Sequence, residues 1–311
     1  MRCGSFAGKQ RQRSACTRKQ GGDFFREPRS VLVDSRITTG PSRGYGLFPP
    51  FQTAAMNAIA PPLETQALER LREQELEEAR AIQSVMLPSE SLRTESVTIS
   101  HEFQPVTEVG GDFLDYFELT DGSIGLYLGD VAGKGLPAAM YAALAVGTLR
   151  GVHKTGQSPS SVLSTLNKRL TIRGTPRRYA AIQYAVYDPA MRRIQVASAG
   201  MVGPFVISAG RCRGLELSDI PPGLFGDATY ATHTMSLRRG DAILFCSDGI
   251  TDAMNADHEI FGVERLQALC EECRHLEPTE LLGRLFREIE RFSNGREQHD
   301  DMAAALFVCT T

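Results

Sequence analysis

The sequence lacks any run of about 18 to 20 consecutive apolar residues, the length that a helix needs to span a bilayer. Its longest apolar stretch, residues 137–149, is too short and too rich in alanine. The 311-residue chain also lacks a strong charge of either sign, since its formal net charge is −3 at pH 7, which gives no general reason to expect binding to nucleic acid or to a membrane. With 42% hydrophobic residues, the composition predicts a soluble globular protein.

Cysteine and histidine offer little support for disulfide, thiolate or zinc chemistry. The seven cysteines are odd in number and several lie in apolar segments, which suits a reducing cytoplasm better than a disulfide framework. Cys270 and Cys273 form a lone C-x-x-C pair, which we interpret as a coincidence on one face of a helix. The six histidines show no ligand spacing. We therefore predict a cytoplasmic protein.

The first 60 residues differ in composition from the rest of the chain. They carry ten Lys or Arg against three Asp or Glu, a formal charge of +7, so that the remainder carries −10. Because this segment is rich in Arg, Gly, Ser and Pro and has no periodicity, we predict that residues 1–60 are disordered. An organelle transit peptide is one interpretation. An over-long reading frame with its natural start at Met56 is the other, and we favour it.

Acidic residues adjoin apolar strands at four separated places. The clearest is Asp130, which follows the apolar residues 124–128 and precedes Gly133 and Gly135. The other three places are Asp112 after a glycine pair, Asp248 after a strand, and Asp300-Asp301 before a strand. One such acid commonly caps a helix, but four predict carboxylates that converge and need cations to offset their repulsion. Oxygen ligands without a His or Cys set favour Mg²⁺ or Mn²⁺.

Hydrophobic periodicity and turn residues predict a series of strand hairpins with helices between them. The predicted strands are 97–103, 112–119, 124–129, 179–187, 193–198, 203–208, 235–237, 242–247 and 303–308. The predicted helices are 137–150, one beginning at Pro159, 263–274 and 278–292. Hairpins in series with helices paired in the middle and near the end indicate an α+β layered sandwich.

A charged helix is predicted over residues 63–87, before these elements. Apolar residues recur on it at steps of three to four, and Pro88 ends it. Its apolar stripe needs a partner, either its own domain or the same helix of a second chain in a short coiled coil, although Glu75 and Glu78 interrupt a strict heptad. We predict three parts, the disordered residues 1–60, a linker or dimerisation helix in 61–90, and a folded domain in 91–311.

Over residues 75–309 the sequence resembles the metal-dependent protein phosphatases of the PPM, or PP2C-like, superfamily. Within it, the chain is most similar to the bacterial sporulation and stress-response (SpoIIE/RsbU-like) branch, which acts on anti-sigma-factor antagonists. The resemblance rests on several motifs in order, namely Glu78-Ala79-Arg80-Ala81-Ile82-Gln83, Leu87-Pro88, Gly110-Gly111-Asp112-Phe113, Gly129-Asp130-Val131-Ala132-Gly133-Lys134-Gly135, Ser247-Asp248-Gly249-Ile250-Thr251-Asp252 and Asp300-Asp301-Met302.

The resemblance implies a central antiparallel β-sandwich flanked by helices (αββα), with two Mn²⁺ or Mg²⁺ ions at one end. By position, Asp130 would bridge the ions, the carbonyl of Val131 would help to bind one, and Asp112 would lie beside one. Asp248 and Asp300 would hold the other. Asp301 and Asp115 would be supporting acids, and Asp301 is included in the predicted metal set. Two such ions activate a water molecule for attack on phosphorus, so the family hydrolyses phosphoserine or phosphothreonine without a Cys or His nucleophile.

Two departures from the family pattern leave an alternative open. Met201 replaces a usual His, and Ala303 replaces a usual Thr. A pseudophosphatase that acts as a binding module is therefore the rival of an active enzyme. A metal-dependent nuclease shares the acids, but the folded part lacks a basic groove.

Other features of the resemblance concern regulation and the phosphate. The resemblance implies that the helix at 63–87 is a dimerising linker that relays a regulatory signal, and it therefore implies a homodimer. Two basic sites have two interpretations each. Lys134 attracts a phosphate or is a solvent-facing turn residue, and Arg177-Arg178 grips a phosphate or is a solvated pair.

Overall fold

The computed structural model of the protein describes residues 63–152, 157–172, 174, 178–217 and 219–311. The predicted disorder of residues 1–60 lies outside these ranges, and so does Arg177. The helices are α1 (Leu63–Ser84), α2 (Leu136–Val152), α3 (Pro159–Ile172), α4 (Asp248–Thr251), α5 (Gly262–Cys273) and α6 (Pro278–Ser293). The strands are β1 (Leu92–Arg93), β2 (Val97–Gln104), β3 (Phe113–Glu118), β4 (Ile124–Val131), β5 (Ala180–Asp188), β6 (Arg193–Ala199), β7 (Phe205–Ser208), β8 (Arg211–Gly214), β9 (His233–Ser236), β10 (Ala242–Cys246) and β11 (Met302–Cys309).

The strands form two antiparallel sheets. One sheet has six strands in the order β1-β2-β11-β10-β7-β8, and the other has five in the order β3-β4-β5-β6-β9. A core lies between them, to which Leu126 contributes from the five-stranded sheet and Phe245 and Phe307 from the six-stranded sheet. The sheets therefore pack face to face as a sandwich.

Helices cover the outer face of each sheet. Ala142 of α2 and Leu163 of α3 pack with Tyr184 of the five-stranded sheet. On the other side, α5 and α6 pack with Leu244 and Leu306 of the six-stranded sheet. Each sheet is consequently buried on both faces, and the four layers confirm the predicted α+β, αββα architecture.

Local sequence explains the elements that position the site. β4 reads as a nearly continuous apolar run because both of its faces are buried. The alanines of α2 are small enough for its backbone to lie close to the sheet, and seven of its residues are buried. α6 has Pro278 in its first turn, and it ends where Asn294 adopts φ 48°, a left-handed conformation that suits asparagine at a helix end.

The structure differs from the sequence prediction at short or polar elements. The prediction missed β1, β8 and α4. β8 escapes a periodicity search because it is a polar edge strand, Arg-Cys-Arg-Gly, with one buried residue. The predicted strand 203–208 is β7, which belongs to the opposite sheet from β6 and pairs with β10. Periodicity identifies strands but carries no information about their pairing partners.

The linker helix is present as α1, which ends at Ser84, three residues before the predicted end. Its apolar side chains Leu68, Leu71 and Ile82 are 67%, 53% and 68% exposed, so the described residues leave much of the stripe uncovered. Within the described ranges, no helix combines the length and the apolar character required to cross a bilayer.

Candidate metal centre

The predicted acids come from the ends of two strand pairs. Phe113 pairs with Gly129, so Asp112 and Asp130 lie at the same end of the β3–β4 pair. In the other sheet Cys246 pairs with Ala304, and the backbone N–H of Ser247 donates to the carbonyl oxygen of Ala303 at 2.9 Å. This pairing places Asp248 at the same end as the Asp300-Asp301 pair. Antiparallel pairing therefore gathers acids that are distant in sequence.

Mutual effects on pKa show that these carboxylates lie close together. Burial raises the pKa of Asp112 well above its usual value, and the charge of Asp130 raises it further. Burial, followed by the charges of Asp248 and Asp300, raises the pKa of Asp130 to about 7. Burial and the charge of Asp300 also raise the pKa of Asp248. The structure thus brings together the four predicted acids, each of which opposes the ionisation of its neighbours.

The chemistry of this cluster fits a hard divalent cation. Oδ2 of Asp112 is buried and has no hydrogen-bond partner among the described residues. A Cβ at Gly111 would lie 2.9 Å from the carbonyl oxygen of Val131 and 3.2 Å from Oδ1 of Asp130, so only glycine leaves room beside these two oxygens. An unpartnered, buried carboxylate oxygen is costly unless a cation or a proton compensates it. The donors are all oxygens, which suits Mg²⁺ or Mn²⁺.

The carboxylates lie near one another, but their oxygens do not yet surround one common position. Within the described ranges, no three side chains of His, Cys, Asp or Glu already have the arrangement of a metal-ion site. The side chain of Asp300 is 39% exposed, and its Oδ2 lies 3.3 Å from Nζ of Lys134.

Asp301 has a different environment from its neighbour. Its Oδ1 accepts a hydrogen bond from the backbone N–H of Val106 at 2.8 Å, and its Oδ2 accepts one from the backbone N–H of Gly111 at 2.7 Å. Only 4% of the residue is exposed. A Cβ at Gly110 would overlap this carboxylate. Asp301 therefore holds the loop that carries Asp112, and its predicted place in the metal set stays a prediction.

The second predicted supporting acid, Asp115, lies elsewhere. Its Oδ2 accepts hydrogen bonds from Nε and an NH2 group of Arg150 at 3.1 and 2.9 Å and from the hydroxyl of Tyr127 at 3.3 Å. The same guanidinium donates to the carbonyl oxygen of Met86 just beyond α1. These contacts tie β3 to α2 and to the end of the linker helix, and the predicted role of Asp115 as a supporting acid stays a prediction.

Sequence reasoning missed the role of Gln83. Its Nε2 donates to the carbonyl oxygen of Gly110 at 2.8 Å, and its Oε1 accepts from the Gly110 N–H at 3.0 Å. The linker helix thus holds the glycine pair that precedes Asp112. Gln83 lies within a quoted motif, but a glutamine in a charged helix gives no signal of a contact 27 residues away.

Sequence reasoning also missed Ser247, which is fully buried. Its Oγ accepts from the backbone N–H of Ala303 at 2.9 Å. A hydrogen bond between this hydroxyl and the carboxylate of Asp112 opposes the rise in the Asp112 pKa. The methyl group of Ala303 lies in the core between the sheets, and Met201 packs against the same core. The effect of these two departures on activity stays a prediction.

Comparisons with known proteins identify the family and the fold. A family described as Stage II sporulation protein E (SpoIIE) matches residues 120–309. The phosphoserine phosphatase RsbU of Bacillus subtilis is 26% identical over 229 residues, which cover 73% of this chain and 68% of RsbU. Across the curated relatives that it matches, the chain spans 24% to 68% of their length.

Solved structures share the fold at low sequence identity. The SiaA-PP2C domain of Pseudomonas aeruginosa superposes with a TM-score of 0.70 at 20% identity, covering 79% of this chain and 99% of that domain. The catalytic domain of the serine/threonine phosphatase PstP, solved with two manganese ions, superposes with a TM-score of 0.54 at 14% identity, covering 70% and 99%. Since the family match extends over more than half of the sequence, this chain belongs to the SpoIIE family of PP2C-like phosphatase domains.

Proposed function

We propose that this protein is a metal-dependent protein phosphatase that hydrolyses phosphoserine or phosphothreonine on a partner protein. The observation that carries the proposal is the convergence of Asp112, Asp130, Asp248 and Asp300 around a buried carboxylate oxygen without a partner. A cluster of carboxylates that contains a buried, unpartnered oxygen is costly for a fold, and a pair of bound cations would offset that cost. Membership of the SpoIIE family supports the same reaction.

Two ions, Mn²⁺ or Mg²⁺, are the proposed cofactors. Asp130, the carbonyl oxygen of Val131 and Asp112 would hold one side of the centre, and Asp248 and Asp300 the other. When bound, such ions lower the pKa of water and stabilise the charge on phosphoryl oxygens. The chain itself aligns Asp112 through Gly111 and Asp301 and shields it from bulk water, as its 2% exposure shows. The two manganese ions of PstP support the choice of metal and the number of ions.

The proposed substrate is inferred mainly from the SpoIIE family, because the four carboxylates do not specify which phosphoester is hydrolysed. RsbU is named a phosphoserine phosphatase, which supports phosphoserine as the substrate and the serine hydroxyl as the leaving group. We infer that the partner is an anti-sigma-factor antagonist in its phosphorylated form, the substrate class of the branch that the sequence resembles. The cytoplasmic location predicted from the sequence belongs to the same proposal.

The decisive experiment measures phosphate release from a phosphoserine peptide with and without Mn²⁺. We expect the wild-type protein to need Mn²⁺ and Asp130→Asn to lose at least about a hundredfold in kcat/KM, since one group that stabilises transition-state charge contributes about this much. The matched control is Asp121→Asn, at an exposed turn where, among the described residues, the carboxylate accepts a hydrogen bond from the nearby Ser123 N–H alone. Equal rates for the wild type and Asp130→Asn would refute the proposal.

The alternative is a pseudophosphatase that binds a phosphoprotein without hydrolysing it. Met201 and Ala303 motivate it, because both replace polar residues that are usual in the family. Mn²⁺-dependent binding of the phosphopeptide by the wild-type protein, with no phosphate released over hours, would favour this alternative.

We also infer that the chain forms a homodimer through α1. The exposed side chains Leu68, Leu71 and Ile82 support this inference, because a second copy would bury them. Light scattering after size-exclusion chromatography tests it. A dimer of the wild type that becomes a monomer in Leu68→Glu/Leu71→Glu agrees with the inference, and a wild-type monomer at all accessible concentrations contradicts it.

A further inference from the structure

Lys134 is the basic residue that contacts the acidic cluster. Its Nζ lies 3.3 Å from Oδ2 of Asp300. The other ion pairs within the described ranges join residues outside the cluster, Arg150 with Asp115, Arg211 with Glu271 and Arg291 with Glu288. One ammonium group therefore lies against a group of carboxylates that otherwise oppose each other's charge.

The backbone around Lys134 is fixed by its neighbours. Gly133 and Gly135 adopt φ angles of +102° and +68°, a region that other residues rarely enter. The guanidinium of Arg178 lies against Gly133, where a Cβ would overlap it, and it donates to the carbonyl oxygen of Ala132. Gly135 in turn accepts from the first turn of α2. These contacts place Lys134 beside Asp300, with its side chain 49% exposed.

The ion pair between Lys134 and Asp300 is exposed to solvent and can therefore separate at little cost in free energy. The side chains of Lys134 and Asp300 are 49% and 39% exposed, so water solvates both groups when they part. Exposed pairs of this kind are weak and sensitive to salt. A divalent cation carries twice the charge of an ammonium and approaches carboxylate oxygens more closely. Such a cation therefore competes well for Asp300.

We propose that Lys134 is a tethered counter-cation that occupies Asp300 and that a divalent cation must displace. This inference rests on the proposed metal site, and it assigns Lys134 a positioning role that sets metal affinity. The ammonium neutralises part of the cluster when metal is scarce and leaves Asp300 when metal binds. Removal of the ammonium removes both the competitor and a repulsive positive charge.

The test is calorimetric titration of the full chain with MnCl2 in the absence of any substrate. We expect Lys134→Gln to bind Mn²⁺ about three- to tenfold more tightly than the wild type, the range expected when a weak exposed ion pair and a nearby like charge are removed. Lys134→Arg keeps the charge and should bind within about twofold of the wild type. Lys168→Gln, an exposed lysine on α3, is the matched control and should also bind like the wild type.

The possible results of the titration distinguish the proposed role of Lys134 from the proposed metal site on which it rests. Tighter binding by Lys134→Gln, with a difference that shrinks as KCl is raised, supports it, because salt screens an exposed pair. Equal or weaker binding by Lys134→Gln, with a wild-type protein that does bind Mn²⁺, overturns the role of Lys134 alone. A wild-type protein that binds no Mn²⁺ overturns the proposed metal site and this inference together.

Discussion

The carboxylate of Asp301 accepts a hydrogen bond from the backbone N–H of Gly111 at 2.7 Å, although 190 positions separate the two residues. Asp301 precedes β11 of the six-stranded sheet, and Gly111 precedes β3 of the five-stranded sheet. The bond therefore joins the two halves of the sandwich at the edge where the acids meet. The candidate metal centre exists only when the two sheets have packed.

The first prediction concerns this bond. Asp301→Ala leaves the N–H groups of Val106 and Gly111 without their acceptor, and each unsatisfied buried donor costs about 1–3 kcal/mol. We expect a decrease of about 2–4 kcal/mol in the free energy of unfolding, measured by urea denaturation. Asp300→Asn is the control, since its partner Lys134 is half exposed, and we expect a change within about 0.5 kcal/mol or a slight gain. An unchanged urea midpoint for Asp301→Ala would contradict the positioning role.

The second prediction concerns Gly249, which follows Asp248. A Cβ there would overlap the carbonyl oxygen of Asp301 and lie 3.5 Å from the Cβ of Asp300. Gly249→Ala should therefore push the two acidic segments apart, with a loss of about 1–3 kcal/mol in stability and of most Mn²⁺ affinity. Thermal unfolding and calorimetry measure the two effects.

The control for Gly249 is Gly147 in α2, where a Cβ meets nothing within 4 Å. Alanine favours a helix interior over glycine by about 1 kcal/mol, so Gly147→Ala should raise the melting temperature and leave Mn²⁺ affinity unchanged. If both variants behave alike, close packing at Gly249 does not shape the site.

The third prediction concerns the linker helix. Gln83→Leu removes both hydrogen bonds to Gly110 while it keeps the size of the side chain. We expect a loss of about 2 kcal/mol in stability, because two backbone groups lose their partners, together with weaker Mn²⁺ binding through displacement of Asp112. Gln74→Leu on the same helix is the control, since Gln74 is exposed and, within the part of the chain that the structure describes, bonds to the side chain of Glu78 alone, at 3.4 Å. Mn²⁺ affinity equal to that of the wild type in Gln83→Leu would show that α1 does not influence the site.

The fourth prediction concerns pH. Burial and the charges of Asp248 and Asp300 raise the pKa of Asp130 to about 7 in the folded protein, above the value of about 4 for an unfolded chain. The folded state therefore takes up the proton more readily, and the stability that this provides is complete below about pH 4 and is lost as pH rises through about 7. Without added metal, we expect a lower melting temperature at pH 8 than at pH 5.5.

The matched variants for the pH effect are Asp130→Asn and Asp121→Asn. Asp130→Asn should reduce the difference in melting temperature between pH 5.5 and pH 8, because it removes one titrating group and relieves the repulsion that raises the pKa of Asp112. Asp121→Asn should keep the wild-type difference. A wild-type difference that survives in Asp130→Asn would mean that other groups govern the pH dependence.

Most residues of the candidate metal centre could be predicted from local sequence. Asp112, Asp130, Asp248 and Asp300 each adjoin an apolar strand, and antiparallel pairing of those strands brings them to one edge. Asp115 was predicted as a supporting acid, and local sequence gave no sign that its carboxylate pairs with Arg150 of α2. Apolar runs and turn residues indicate strands and their ends, but they do not indicate which neighbour a side chain meets.

The sequence by itself determined the types of element, the four-layer α+β class and the gathering of oxygen donors at the ends of strands. Those properties follow from periodicity, turn residues and the kinds of side chain, which are local. Only the tertiary structure decided that Asp301 holds a loop while its neighbour Asp300 faces Lys134, and that Gln83 holds Gly110. The reason is physical, since these contacts arise when two sheets and a helix pack together, and adjacent residues on the chain then face different surroundings.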